Sequence, residues 1–370
     1  MYQKMKWSDI LTIISGKNQK GVASEDGEYY IYGSGGIIGR ANDYLCPANT
    51  VIVGRKGTIN HPLYVTEPFW NIDTAFGVVA GEELLPKFLY YFCLQFNFKE
   101  LDKSTGRPSV SKADLLKIEM PIPNIEEQAR IVSRIEELFS ELDKGVETLQ
   151  VIKEQLAVYR QAVLKMVFAS MNERKSIQEV SSLVTSGSRG WAKYYNEKGV
   201  RFIRITDLTR DKIKLKNNAI QRVLLPEGVE GKRSRLQGND VLISITADLG
   251  SIALVPEDVE EAYINQHIAV VRFVNSHQGE FMAWYLKSDY GQKELLRNKR
   301  GGGKLGLGLD DIRNTLVPIV SDEVADEVVS EIESRMSVCD SIEQIVGTAL
   351  SQTEAMRQSI LKKAFEGGLN

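Results

Sequence analysis

The sequence predicts an α+β protein with an internal pseudo-two-fold repeat. Two mixed, β-rich globular domains are joined by two long helices that form an antiparallel coiled coil. Three observations predict it. First, Ile131, Ile135, Leu138, Leu142, Gly145, Leu149, Ile152, Leu156, Tyr159, Val163 and Met166 are spaced by alternating steps of four and three. That is the a/d seam of a helix wound on a partner helix. Second, adding 197 to each number gives Val328, Ile332, Arg335, Cys339, Ile342, Val346, Ala349, Thr353, Met356, Ile360 and Lys363, the same seam without a gap. Third, flanking residues keep the offset: Asp143 and Asp340, Gln155 and Gln352, Arg160-Gln161 and Arg357-Gln358, Phe168 and Phe365. A duplication that ends in a helical seam implies two-fold symmetry inside one chain. The antiparallel sense is inferred from that two-fold relation.

The expected divisions are 1–123, a mixed domain; 124–170, a long central helix; 171–320, a second mixed domain; and 321–370, a C-terminal long helix. In the first domain Tyr29–Tyr32 reads as a strand, Gly33-Ser34-Gly35-Gly36 as a turn, Thr50–Val53 as a β-branched strand, and Leu63–Val65 as its return. Pro86 opens a helix over Lys87–Leu101, and the polar loop Lys103–Pro108 follows. Pro121 and Pro123 mark a boundary. Asn124 is placed to cap the central helix, with Glu127 in a capping-box position. Gly145 interrupts the seam as a packing concession or, alternatively, as a bend or close crossing.

The second domain parallels the first. Asn239–Ile243 sits like Asn49–Val53, and Asn265–Val271 like Asp73–Val79. An amphipathic helix is expected over Gly279–Leu296, then a basic glycine loop, Arg297–Lys304, with Gly303 offset by 197 from Gly106. Lys212–Lys216 alternates like a strand with one charged, solvent-facing side. Ser321 takes the place of Asn124 as a cap, and the second helix stops at Gly367-Gly368.

At 370 residues the chain has room for two cores, and 43% hydrophobic with 26% charged residues is ordinary for a globular protein. No apolar run approaches the roughly 18 residues of a membrane span. MYQKMKWSDI lacks a signal-peptide core, and Cys46, Cys93 and Cys339 are scattered singles. Both point to a cytoplasmic protein with free thiols. The net charge of −3 hides a segregation: 1–124 is neutral, 125–170 is −2, 171–320 is +5 and 321–370 is −6. Phosphate attraction is local, so the globular segments matter more than the total.

A catalytic constellation is missing. There is no phosphate-loop motif, no Gly-x-Gly cofactor loop after a strand, and no Asn/Asp-Pro-Pro-aromatic tetrapeptide of amino-methyltransferases. His61, His267 and His277 lack metal spacing and read as ordinary surface or core histidines. What remains is binding chemistry. In the first domain the candidates for a DNA contact are Ser34, Gly35, Arg40, Arg55, Lys56, Thr58, Lys103, Ser104, Thr105 and Arg107. In the second they are Ser186, Ser188, Arg189, Trp191, Lys193, Tyr194, Thr246, Arg297, Lys299, Arg300 and Lys304. Basic heads can pair with guanine edges or neutralise phosphate, and glycine lets backbone amides approach. A solvated polar loop is the competing reading of each one singly. The loops gain weight because Lys103–Arg107 and Arg297–Lys304 recur at matching places.

The chain resembles the specificity subunit of type I restriction-modification enzymes over essentially its whole length. The residues that carry the resemblance are Ile122–Val132 (IPNIEEQARIV), Tyr159–Phe168 (YRQAVLKMVF) and Arg357–Phe365 (RQSILKKAF). One departure is the second helix start, Val317–Glu323, which lacks the Glu-Gln pair of the first. The resemblance implies that each globular domain is a target-recognition domain reading one half of a bipartite, asymmetric site on double-stranded DNA. The helices would set the spacer and dock two methyltransferase subunits, and restriction subunits would join for cleavage. This chain would make no bonds, bind no metal and carry no cofactor. S-adenosylmethionine would belong to the methyltransferase partner, and ATP and Mg to the motor-nuclease subunit. The alternatives are a coiled-coil scaffold joining two protein-binding modules, and an enzyme with a cryptic site. The unlike basic loops and the positive middle segment argue against the scaffold, and the missing motifs against the enzyme.

Overall fold

The computed structural model describes residues 2–225, 233–297 and 306–369. The chain divides into two compact units: Met1–Gln150 with Gly347–Asn370, and Val151–Val346. Both long helices, Ile125–Phe168 and Asp322–Glu366, therefore contribute one half to each unit.

In the first unit Lys4–Lys6 pairs antiparallel with Glu119–Pro121, tying the two ends of the globular part together. A four-stranded antiparallel sheet follows in the order Leu11–Ser15, Ala75–Ala80, Thr50–Gly54, Leu63–Val65. A three-stranded sheet has Tyr29–Gly33 at its centre, antiparallel to Gly36–Ala41 and parallel to Phe69–Asn71. Thr50–Gly54 is buried at every position, so its run of Val51, Ile52 and Val53 reads as a central strand. The second unit repeats this plan. Arg174–Ser176 pairs with Leu316–Pro318, and the four-stranded sheet runs Ser181–Ser186, Ile268–Phe273, Val241–Ser244, Ile252–Leu254. Val200–Ile203 runs parallel to Ala262–Ile264 as Tyr29–Gly33 does to Phe69–Asn71. Asn49 and Asn239, one before each central strand, share the left-handed conformation at φ 59 and 64°. Asparagine tolerates it.

The helices on these sheets are shorter than the sequence suggests. Pro86–Gln95 ends at Phe96, and Phe98–Leu101 is a separate 3-10 turn. Asn60 Oδ1 accepts from Phe98 N at 2.7 Å, giving the backbone a partner outside the helix. Gly279–Lys287 and Asp289–Leu295 are likewise two helices, divided at Ser288, whose hydroxyl caps the second through Gly291 N. Lys212–Lys216 forms no strand. Ile213 and Leu215 are buried while Lys214 and Lys216 face solvent, and a single bond from Leu254 N to Ile213 O at 2.7 Å ties the segment to a sheet edge without a ladder.

Asn124 Oδ1 accepts from Glu127 N at 2.8 Å and starts the central helix, about 66 Å long at 1.5 Å per residue. The other long helix stops at Gly367, φ +84°. In the first unit Ile131, Val132 and Ile135 share a core with Leu361, Ala364 and Phe365, and Asp143 and Phe139 both meet Arg357. Numbers rise along one helix as they fall along the other, so the halves run antiparallel. In the second unit Arg160 meets Asp340 and Glu343, while Val163, Leu164 and Phe168 share a core with Ala325, Ile332 and Met336. Those halves are antiparallel too. Asp143–Arg357 and Asp340–Arg160 are one ion pair related by the 197-residue offset.

On the central helix the buried stripe departs from the expected seam in three places, and Met356 and Lys363, the counterparts of Tyr159 and Met166, are exposed on the other helix. Gly145, Tyr159 and Met166 are exposed, and Arg160, Leu164 and Phe168 lie inside instead. A straight helix drifts against a 3.5-residue repeat, and its ends also pack on globular cores. Gly145 is neither a crossing nor a packing concession: an added Cβ would meet nothing within 4 Å, and the helix continues through it.

Candidate nucleic-acid interface

In the first unit the central strand delivers Arg55-Lys56-Gly57-Thr58 to one end of the sheet. Arg55 N and Lys56 N donate to Thr74 O at 2.8 and 3.2 Å, which fixes the loop at its start. Its far side is held by 102–109: Gly57 N donates to Pro108 O at 2.8 Å, and Lys56 and Ser109 form an isolated bridge. Asp102 shapes that second loop by accepting from Ser104 Oγ, Ser104 N and Ser109 N at 2.7, 2.9 and 3.1 Å. These bonds, the Ser104 hydroxyl first, hold its carboxyl below the usual range.

Arg107 lies against Gly57, where an added Cβ would come 2.7 Å from Nη2 at φ +84°. Only glycine suits that position. The Tyr29–Gly33/Gly36–Ala41 hairpin closes the cluster. Ser34 Oγ donates to Lys56 O at 2.8 Å, Ser34 N to Thr74 Oγ1, and Gly35 faces Thr58. Ser34, Gly35, Arg55, Lys56, Thr58 and Arg107 are thus brought to one place, with Ser104 and Thr105 exposed on the adjoining loop. Lys103 is also exposed there and pairs with Asp114 at 3.1 Å. Arg40 stands apart: it donates to Gly27 O at 2.9 Å and covers the Tyr30 ring at 4.6 Å, four residues along the strand from the turn. Ser34 is itself buried, so it holds the loop through Lys56 O.

The second unit repeats the arrangement with different side chains. Thr246 follows the strand Val241–Ser244 and bridges to Gly306. Gly306 is Ser109 shifted by 197. Thr246 is Lys56 shifted by 190, each just past the central strand of its sheet, so the two bridges correspond in the fold. Thr246 Oγ1 stands 2.6 Å from His267 Nδ1, and Gln266 Nε2 3.2 Å from His267 Nε2. His267, which lacks metal spacing in the sequence, is a half-buried histidine beside this turn. Ser186-Gly187-Ser188 packs on the same turn. An added Cβ on Gly187 would lie 2.1 Å from Ile264 O, and Ser188 Oγ is buried without a hydrogen-bond partner.

Gly16 makes the equivalent approach in the first unit, its Cβ position 1.8 Å from Ile72 O. The loop after Ser15-Gly16, with Lys17, stands at the equivalent place. Its signal was the Ser-Gly pair that closes the first strand of both sheets. Arg189, Lys193 and Arg297 are exposed, and Lys193 lies over the Tyr194 ring at 4.9 Å. Trp191 is a correction. It is 4% exposed, stacked against Phe202 and Tyr263 at centroid distances of 5.2 and 5.7 Å, and is a core residue. Its apolar area outweighs any role at the surface. Tyr194 packs edge-on against it and is half-buried. Lys299, Arg300 and Lys304 lie outside the described residues.

Among the described residues no group of three or more His, Cys, Asp or Glu side chains is placed to hold a metal ion. No helix among them is long and apolar enough to cross a membrane. Burial pushes the Cys46 thiol up to about 12. The arrangement offers, at one end of each sheet, paired loops of cationic, hydroxyl and amide groups held by backbone bonds. Such groups can bind phosphate oxygens and base edges.

Comparison with known proteins gives a consistent picture. The family model for the type I restriction modification DNA specificity domain matches residues 1–154 and 174–344. The type I restriction enzyme EcoBI specificity subunit of Escherichia coli is 24% identical, the match covering 86% of this chain and 73% of that one. A chain from a solved type I restriction-modification system, studied for complex assembly and conformational transition, has the same fold. It superposes at TM-score 0.75 with 16% identity over 99% of this chain and 98% of that one. The HsdS subunit from Thermoanaerobacter tengcongensis superposes at TM-score 0.51 with 16% identity, over 99% and 97% of the two chains.

Proposed function

This chain belongs to the type I restriction-modification DNA specificity family, and from that premise we propose how it reads its target. It is the DNA sequence-recognition subunit of such a complex, a reading component and not the catalytic one. Each globular domain reads one half of a bipartite site, and the helices set the spacer. Because the loop residues differ between the repeats, the two half-sites differ and the target is asymmetric. The observation that carries this reading is the duplicated bridge, Lys56 with Ser109 and Thr246 with Gly306. It supports equivalent reading loops in the two domains, at the same end of the same sheet.

In this reading segments 1–123 and 171–320 are the two target-recognition domains, and 124–170 and 321–370 the helical spacer. Arg55, Lys56, Thr58, Ser104, Thr105 and Arg107 contact the first half-site, with Gly35 admitting the backbone, Lys103 at the rim and Ser34 holding the loop. Ser186, Ser188, Arg189, Lys193, Thr246 and Arg297 contact the second, with Lys299, Arg300 and Lys304 supplying phosphate contacts. Arg40 and Tyr194 act at the edges. Double-stranded DNA is the ligand, and two methyltransferase subunits dock on the helical regions, with restriction subunits joining for cleavage. S-adenosylmethionine, ATP and Mg belong to those partners, and the assembly acts in the cytoplasm on DNA.

Exchange of residues 1–123 for the corresponding segment of another specificity subunit tests the reading. The chimera is expressed with the methyltransferase partner and the genomic methylation motif is sequenced. One half-site changes and the other stays. A change in both would contradict modular reading. DNA binding with no log-linear dependence on salt would contradict a phosphate-contacting reader altogether.

A further inference from the structure

The first unit carries an apolar feature that the cationic loops do not explain. Ile37 and Ile38 are 55% and 52% exposed, side by side on the strand Gly36–Ala41. Successive residues of a regular strand point to opposite faces, so a neighbouring exposed pair on a strand beside a core is unusual. The register explains it. Gly39 pairs with Ile31 and Ile37 with Tyr32, which leaves Ile38 as the extra residue of a bulge. Bulges re-aim side chains and recur beside functional sites. The turn is also specialised: Gly33 pairs with Gly36, only Ser34 and Gly35 lie between, and Gly36 has φ +122°. Two exposed isoleucines therefore follow directly on a turn whose Ser34 is bonded to Lys56 O and whose Gly35 faces Thr58.

We propose that Ile37 and Ile38 form an apolar reading tip that contacts thymine 5-methyl groups in the first half-site. The occupant is DNA, because the tip is continuous with a cationic and hydroxyl cluster: exposed Lys56 and Thr58 on one loop, exposed Arg107 on the next. A protein groove would suit the isoleucines alone and leave that charge unmatched. The major groove supplies both chemistries, phosphate along its walls and the thymine methyl as its one apolar group. The isoleucines add sequence information that the arginine and lysine contacts to phosphate lack. This inference rests on the reading of the chain as a DNA-recognition subunit and assigns a further specificity element to it.

The test uses the whole subunit with its methyltransferase partner and duplexes carrying the target. Each thymine of the first half-site is replaced in turn by deoxyuridine, which removes only the methyl group. Loss of about fourfold in affinity is expected at one or two positions, the value of one buried methyl or methylene group. The double variant I37S/I38S loses that sensitivity, keeps the sensitivity of the second half-site, and keeps its circular dichroism, because both side chains are exposed. I37V/I38V restores it. Wild-type indifference to deoxyuridine, a first half-site without thymine, or retained sensitivity in the serine variant each overturns the proposal. So does weakened methyltransferase association in that variant with unchanged deoxyuridine sensitivity, which would make the tip a protein contact. A subunit that shows no preference for its target over random duplex would instead defeat the underlying reading.

Discussion

Symmetry in sequence does not carry over into symmetry of energy, and the duplicated ion pair measures the difference. Arg160 and Arg357 are related by the 197-residue offset, as are their partners Asp340 and Asp143. The Arg160 side chain is only 9% exposed and donates to Asp340 at 2.8 Å and Glu343 at 2.9 Å. Lys212 stands 3.1 Å from the same Asp340, so two cations face two carboxylates. Arg357 is 22% exposed, and its partner Asp143 is 66% exposed. Arg357 also covers the Phe139 ring at 4.8 Å.

Truncation of Arg160 to alanine removes two charge-assisted bonds, each about 1.5 kcal/mol, for a loss of about 3 kcal/mol. The loss stays below the upper range for buried pairs because Asp340 and Glu343, 46% and 37% exposed, can rehydrate. Arg357→Ala removes one exposed pair, about 0.5 kcal/mol, and one cation–π contact of about 0.5 kcal/mol. The difference, about 2 kcal/mol, is roughly a 30-fold change in the local opening equilibrium. Hydrogen exchange read by mass spectrometry on helix peptides of each unit resolves the two sites separately. Equal losses of protection in R160A and R357A, or a larger loss in R357A, would refute the argument that burial sets the value of this pair.

Three other outcomes follow from the structure. Glu280 lines a cavity of about 410 Å³ with Glu333, Lys214, Lys212, Asp211, Arg160, Asp340 and Trp284; burial first and the Glu333 carboxylate second push its pKa from 4.5 to about 7. The folded state then holds a proton that the unfolded chain has released, so stability of the second unit falls as pH rises through that window. E280Q should flatten the urea midpoint between pH 5 and pH 8 and stabilise the unit by about 1 kcal/mol at pH 8, after discounting for solvent screening; an unchanged slope would refute the assignment. Gly187→Ala drives a Cβ to 2.1 Å from Ile264 O and should relax or abolish reading of the second half-site while the first persists, as seen in the genomic methylation motif. Gly145→Ala puts a methyl group into open space on an exposed helical face and should stabilise the first unit by about 0.8 kcal/mol in urea unfolding, with the recognised spacer unchanged.

Sequence periodicity and internal offset made the architecture legible, because both are written in residue types that tertiary packing cannot easily override. The cap at Asn124, the strand Thr50–Gly54, the helix stop at Gly367 and the paired ends of the two repeats all have local chemical causes. The misreadings share a different cause. Trp191 reads as a candidate DNA contact beside Arg189 and Lys193, yet Phe202 and Tyr263, distant in sequence, stack against it. Lys212–Lys216 alternates correctly and meets the edge strand at Ile213 O, which accepts from Leu254 N at 2.7 Å, yet no ladder forms there among the described residues.

In each case the deciding partner comes from another strand or loop, so no window of the sequence contains the answer. The loop clusters were only half legible for the same reason. Glycines mark where a backbone must come close, as at Gly16, Gly57 and Gly187, but the atom approached lies elsewhere in the chain. What a single sequence can supply is the second copy. The bridge Lys56–Ser109 has its counterpart in Thr246–Gly306 and Ser15-Gly16 in Ser186-Gly187, although only Ser109 and Gly306 keep the offset of 197, because the loops between differ in length. A repeated chain thus carries its own comparison: corresponding positions hold the loop backbones, and positions that differ, such as Lys56 against Thr246, are where the proposed reading of two unlike half-sites would be told apart.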